Sequence, residues 1–334
     1  MPKELIPSVF VSLIAGNLQL TEKSVLHTMQ LIDEGSTIPF ISRYRKEMTG
    51  GLDEVQIAAI SDQYDKLREI TKRKETILKT IEEQEKLTPE LKKRIDSCWN
   101  LTELEDIYLP YKPKRRTRAE IARENGLEPL AGMIMKQNVS QLQKLAAPYV
   151  SDKVKSTDDA LAGASDIIAE WINENEQARN AIRRIFSYEA IISSKVIKGK
   201  EEEGQKYRDY FEMTEKLSKC SSHRLLAMRR GEAEGILRIA IAPDEDKCLE
   251  RLDRLFVKVD NDAGDFVYNA AKDAYKRILK PAIENEFAAE SKLKADNEAI
   301  RVFAENLRQL LLAAPLGEKR VLGIDPGFRT GCKL

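Results

Sequence analysis

The stretch DEVQIAAISDQYDKLREITKRKETILKTIEEQEKLTPE, Asp53 to Glu90, decides the fold class. It contains no glycine, and its first proline is Pro89. Asp53 stands where an N-cap belongs, and Gln56, three residues on, completes a capping box. The spacing predicts one helix of about 35 residues, roughly 50 Å long. Ile60, Leu67 and Ile81 recur at heptad spacing, interrupted by Lys74, and Tyr64, Thr71 and Leu78 run alongside. Such a stripe needs a partner helix. The segment after it supplies one: Thr88 caps, Pro89 fits the first turn, and Leu91, Ile95, Trp99 and Leu101 follow. The expectation is a long antiparallel helical hairpin.

Toward the amino terminus, Ile6, Val9, Phe10, Leu13 and Ile14, then Val25, Leu26, Met29 and Ile32, give two short helices. Gly16-Asn17 is expected to separate them and Gly35 to close the second. STIPFISRYRKEMTGG, with Pro39 and a glycine pair, reads as a connection or short helix. Toward the carboxyl terminus, Pro110 and Pro113 force an extended stretch. Thr117 and Glu120 then open a helix that closes near Gly126.

From 127 to about 315 the pattern stays helical. Thr157 is expected to cap one helix, NEQARNAIRRIFSYEAIISSKV to carry a similar helical pattern, and SSHRLLAMRRGEAEG to form a short helix ended by Gly231. KGKEEEGQKYRDYFEM reads as a loop into a short aromatic element, and ILRIAIAPD as a lone strand. Helices follow around Cys248–Val257 and Ala270–Leu312. Val321, Leu322 and Ile324 then read as a buried strand ending at Asp325 before a Pro-Gly turn. The fold class is therefore all-α, with room for one short strand and the first strand of another domain. The expected divisions are 1–126, 127–316 and 317–334.

Composition agrees. The chain is 42% hydrophobic, 33% charged and only 6% aromatic, and its 55 basic residues equal its 55 acidic ones. Net charge thus gives no reason to expect a polyanion, and any electrostatic footprint must be local. No window resembles a membrane span or a signal peptide, so the expectation is a soluble, cytoplasmic protein. Cys98, Cys220, Cys248 and Cys332 lie far apart, and His27 and His223 are the only histidines. That spacing speaks against a zinc site, and the cysteines read as reduced thiols. No cofactor is expected.

Three groups of residues carry possible chemistry. KPKRRTR contains Lys112, Lys114, Arg115, Arg116 and Arg118 without an acid, just after Tyr108 and Tyr111. Such a cluster at a helix start suits phosphate. The alternative is a solvated loop, or arginines paired with glutamates of a neighbouring helix. Arg43, Arg45 and Lys46, and then Arg229 and Arg230, are weaker candidates of the same kind. Arg45 has a second reading as a structural anchor paired with a carboxylate. Asp325 alone offers catalysis. A carboxylate ending a buried first strand is the layout of a metal ligand in RNase H-like nucleases, yet two-metal cleavage needs several acids.

Four blocks in order resemble the Tex family of bacterial transcription accessory proteins: IPFISRYRKEMTGGLDEVQI (Ile38–Ile57), YLPYKPKRRTRAEIARENGLEPLA (Tyr108–Ala131), SSHRLLAMRRGEAEG (Ser221–Gly235) and LLAAPLGEKRVLGIDPGFRTGCKL (Leu311–Leu334). The resemblance implies a helical amino-terminal domain with a helix-turn-helix-like element and a helical central region. It also implies that a YqgF-type, RNase H-like domain opens near Val321, and that helix-hairpin-helix and OB-fold RNA-binding segments come later in the family pattern. The family is regarded as nucleic-acid-binding, largely through its carboxy-terminal part, and its YqgF domain as lacking a working nuclease centre.

The expected function is a non-enzymatic scaffold and binding portion of a transcription accessory protein. Its expected partners are RNA or DNA, held weakly, and RNA polymerase or other transcription proteins. No membrane or small-molecule substrate is expected. The alternatives are a protein-interaction scaffold without nucleic-acid affinity, or part of a metal-dependent RNase H-like nuclease.

Overall fold

The computed structural model describes residues 6–114, 116–315, 317–327 and 331–333. They divide into two compact units, Met1–Thr117 and Arg118–Leu334.

In the first unit, α1 (Ser8–Leu18) and α2 (Glu22–Asp33) precede α3 (Ile38–Tyr44) and α4 (Lys46–Thr49). The expected break at Gly16-Asn17 does not occur. One glycine costs a helix only about 1 kcal/mol, and Phe10, Val11 and Ile14 bury on the same turns. The chain instead leaves α1 at left-handed Gln19 (φ 55). Gly35 (φ 83) does close α2: its N–H donates to Ile32 O and Ser36 N–H to Leu31 O.

Helix α5 (Glu54–Glu83) begins with the expected box, Gln56 N to Asp53 Oδ1 at 2.8 Å and Asp53 N to Gln56 Oε1 at 3.1 Å. Its stripe is Ile57, Ile60, Tyr64, Leu67, Ile70, Lys74, Ile77 and Ile81, all buried. The hairpin differs from expectation. The return arm is two short helices, α6 (Pro89–Ser97) and α7 (Leu101–Tyr108), because Asn100 restarts the helix by accepting from Thr102 N and Glu103 N. These two cover only the second half of α5, through Ile77, Ile81, Leu91, Ile95 and Leu104. The first half packs on α1, α2 and α3. Lys74, in the heptad row, is 6% exposed; its Nζ donates to Asp96 O at 2.7 Å and lies 3.4 Å from the Trp99 ring centre. The carbonyl end of α6 and the ring face replace the water that the ammonium loses.

The second unit opens with α8 (Arg118–Glu124), closed at Gly126 (φ 76), then α9 (Glu128–Met135), α10 (Leu142–Ala146), α11 (Thr157–Glu174) and α12 (Glu176–Glu189). Ser156, not Thr157, caps α11, accepting from Asp159 N at 3.0 Å. A three-stranded antiparallel sheet follows: β1 (Ile191–Val196) lies between β2 (Glu212–Lys216) and β3 (Leu237–Ala242). Ile192 stands opposite Glu215 on one side and Ile241 on the other. The strand expected to be alone, β3, is thus the edge of a sheet whose other two strands lie in segments expected to be helix and loop. Between β2 and β3, α13 (Ser222–Ala233) runs through Gly231 and ends before Gly235 (φ 70). A Cβ on Gly231 would lie 2.6 Å from Leu237 Cδ1, so that glycine serves packing against the sheet and not termination.

After α14 (Glu245–Phe256), α15 (Asp262–Ala274) passes through a π-helical turn, Tyr275–Leu279, into α16 (Lys280–Leu311). Pro281 brings no N–H and would crowd a carbonyl of a regular turn, and the wide turn just before it lets the helix continue. The path from Asp262 to Leu311 is roughly 75 Å long. Its last part is bare: Ile300, Phe303, Leu310 and Leu311 are each about two-thirds or more exposed. Val321–Ile324 is not a buried strand. Val321 and Leu322 are 73% and 74% exposed, and no strand among the described residues pairs with them, so their backbone lacks a ladder. Instead β4 (Asp325–Gly327) pairs with β5 (Gly331–Lys333).

Two outcomes follow from this packing. A Cβ on Gly264 would lie 2.0 Å from the Val259 carbonyl oxygen, which a backbone cannot easily yield. Gly264→Ala should therefore cost about 2–3 kcal/mol and lower the thermal midpoint by roughly 5–10 °C. Gly132→Ala, in a helix with open space around it, should not lower the midpoint. A calorimetric scan of both variants decides. Burial also lowers the Lys74 pKa below its ordinary 10.5. Between the folded and unfolded values the unfolded chain still holds a proton that the folded chain has released. Stability contributed by this site therefore rises as pH climbs toward 10.5. Urea midpoints from pH 8 to 10 should gain on those of Lys74→Met across that window; parallel profiles would refute the assignment.

Candidate nucleic-acid interface

The KPKRRTR run leaves α7 through a 3₁₀ turn, Leu109–Tyr111. Lys112 and Arg116 are exposed, Lys114 is half-buried, and Arg115 lies outside the described residues. The tyrosines before the run belong to the fold. Tyr108 is buried beneath the Arg73 guanidinium, and the Tyr111 carbonyl accepts from Gln84 Nε2 at 2.7 Å.

Arg118, the first residue of α8, borders a shallow pocket of about 420 Å³. Lys153 and Lys155 stand on the same rim, with Asn125, Asp159 and Asp166. These two lysines stand outside the basic runs of the sequence. Val154 between them is 3% exposed and sits in the core, so its neighbours project outward. The alternation Lys-Val-Lys around an apolar anchor is the signal that could have found them. Among the described residues no acid pairs with Lys153 or Lys155. Burial raises the Asp166 carboxyl above its ordinary pKa, and Arg277, 2.9 Å away, and Arg118 oppose that rise. The rim is therefore a cationic edge over an acid already engaged by Arg277.

Arg43, Arg45 and Lys46 are all exposed at the junction of α3 and α4. Among the described residues no carboxylate holds Arg45; its guanidinium donates to Tyr44 O at 3.2 Å and lies 5.1 Å from the Phe40 ring centre. The two arginines of α13 separate. Arg229 is largely buried and pairs with Glu232 at 2.7 Å, leaving Nε and Nη2 buried without a hydrogen-bond partner among the described residues. Arg230 is exposed and lines a groove of about 630 Å³ between α13 and α16. Within the second unit, Arg118 and Arg230 border different pockets, and Arg229 is held in the fold.

The Asp325 side chain lies outside the described residues. Among the described residues no three His, Cys, Asp or Glu side chains form a group that could hold a metal ion. The described cysteines are free thiols. Burial pushes the Cys220 thiol up to about 12, far from a nucleophile's range. No helix among the described residues is long and apolar enough to cross a membrane.

Comparison with known proteins matches the helical modules of this chain to one family. Residues 8–82 match the Tex-like protein N-terminal domain, and residues 137–303 match the Tex central region. The chain belongs to the Tex family. It is 43% identical over 337 residues to Protein YhgF of Escherichia coli, covering 97% of this chain and 44% of that one. It is 39% identical over 329 residues to the Transcriptional accessory protein Tex of Neisseria gonorrhoeae, covering 96% and 43%. It is 29% identical over 325 residues to the human S1 RNA-binding domain-containing protein 1, covering 92% and 32%. The chain thus spans less than half the length of these relatives.

Proposed function

We propose that this chain is a nucleic-acid-binding portion of a cytoplasmic transcription accessory protein, holding RNA or DNA weakly through phosphate contacts and breaking no bonds itself. We read residues 317–334 as the opening of a YqgF-type, RNase H-like domain. The observation that carries the binding reading is the Arg118, Lys153 and Lys155 rim, with Lys112, Lys114 and Arg116 just before it in the chain. Two relatives bear the names transcriptional accessory protein and S1 RNA-binding domain-containing protein, which supports the same class of role.

Contacts of this kind read no sequence, because phosphates are alike at every step. Each neutralised phosphate releases condensed counterions, so affinity falls steeply with salt. Replacing Arg118, Lys153 and Lys155 together by Ala should weaken single-stranded and duplex ligands alike. It should also make the slope of log affinity against log salt shallower by about 2. Fluorescence anisotropy across a salt series measures both, and an unchanged slope would remove the rim from the interface. The same ligands incubated with Mg²⁺ should stay intact on a gel; cleavage lost in Asp325→Asn would restore the nuclease reading.

One observation favours a second reading, a scaffold for transcription proteins without nucleic-acid affinity: the bare apolar end of α16. Surface of that kind usually meets a protein partner. On this reading purified RNA polymerase should co-elute with the chain in gel filtration, and Phe303→Asp with Leu307→Asp should abolish it. Separate elution of the unaltered chain would rule against it.

A further inference from the structure

We propose that the bare end of α16 is a self-association surface, on which the same helix of a second copy of this chain lies antiparallel. The inference does not depend on the nucleic-acid reading, and it gives the apolar end of α16 a different occupant from the polymerase.

The last turns of α16 are strongly two-sided. Leu293, Ile300, Phe303, Leu307 and Leu310 follow one another at intervals of seven, three, four and three residues, which places them on one face. Leu293 is 61% exposed and Leu307 42%, beside the more open Ile300, Phe303 and Leu310. The opposite face is polar: Arg301 and Glu305 pair across one turn at 3.0 Å, and Gln309 follows. A helix of this kind draws most of its stability from covering its apolar stripe.

The stripe is complementary to itself. One antiparallel register sets Leu293 against Leu310 of the second copy, Asp296 against Leu307, and Ile300 against Phe303. Two-fold symmetry repeats each layer in reverse. Asp296 is the one acid in the stripe, and its carboxylate takes the Lys292 ammonium at 2.5 Å on its own helix. A parallel pair in register would bring two Asp296 carboxylates into one layer, where like charges repel. It would also crowd the folded bodies of the two second units at the same end. The antiparallel pair avoids both. Beside the stripe stand Asn297, Ala299, Ala304 and Asn306, small and uncharged, so they neither repel nor hold the helix axes apart. Closing the stripe buries roughly 600 Å² per copy, about 1,200 Å² in all, which is the lower limit of a specific interface. That area suits a reversible dimer with a micromolar dissociation constant.

The test is sedimentation velocity of the whole chain from about 1 to about 200 μM, a range that brackets such a constant. The average mass should rise toward twice that of the chain. Phe303→Asp alters two layers at once through the symmetry and should weaken the dimer about a hundredfold. Asp296→Leu completes the apolar stripe and should tighten it about tenfold. In dilute solution the thermal midpoint of Phe303→Asp should equal that of the unaltered chain, which separates lost association from lost folding. For the order of the helices, Leu293→Cys mixed with Leu310→Cys should give a disulfide-linked pair under mild oxidation that neither variant gives alone. A linked pair from Leu310→Cys alone would overturn the antiparallel arrangement. A chain that stays monomeric throughout the range overturns the inference, as does a dimer indifferent to Phe303→Asp. A monomeric chain that co-elutes with RNA polymerase through Phe303 and Leu307 gives the surface to that partner instead.

Discussion

Every long helix in this chain must cover an apolar stripe, and no single partner covers the whole of any one. That constraint shapes both units. The stripe of α5 runs through eight buried positions. Its first half is closed by α1, α2 and α3, and its second by α6 and α7. Lys74 lies in the second half, where the axis of burial passes the end of α6. The stripe tolerates a lysine there because a helix carbonyl end and an indole face take the charge. In the second unit the path from Asp262 to Leu311 is covered until about Ala295 and bare from Ile300 onward. Burial therefore decides which parts of each helix are structural and which remain available.

The same division runs through the charges. The chain has as many acids as bases, so a cation without an acid is more informative than a cation as such. Arg68 pairs with Asp33, Arg123 with Glu170, Arg179 and Arg183 with Glu286, and Arg277 with Asp166. These bridges tie one element to another within a unit, and Arg183 takes both oxygens of Glu286 in its planar fork. Lys153, Lys155, Arg43 and Lys46 stand outside that network. They are cations that each unit leaves open to solvent.

The sequence carries the local signals of this fold more clearly than the remote ones. Asp53 with Gln56, Gly35 and Gly126 are read correctly because a cap is made by residues within a few positions of one another. Ile191–Val196 and Glu212–Lys216 are not, because a strand acquires its character from the neighbour it pairs with. Ser193, Ser194 and Lys195 dilute the β-branched signal of β1 until β3 is laid beside it. Val321–Ile324 fails in the opposite direction: its composition says strand, but the described chain offers no partner. The candidate interface follows the same rule. KPKRRTR is visible as a string, whereas Arg118 meets Lys153 and Lys155 only after α8 and the loop around Val154 have folded. Arg229 and Arg230 are adjacent in sequence and opposite in burial, which only helical geometry can separate.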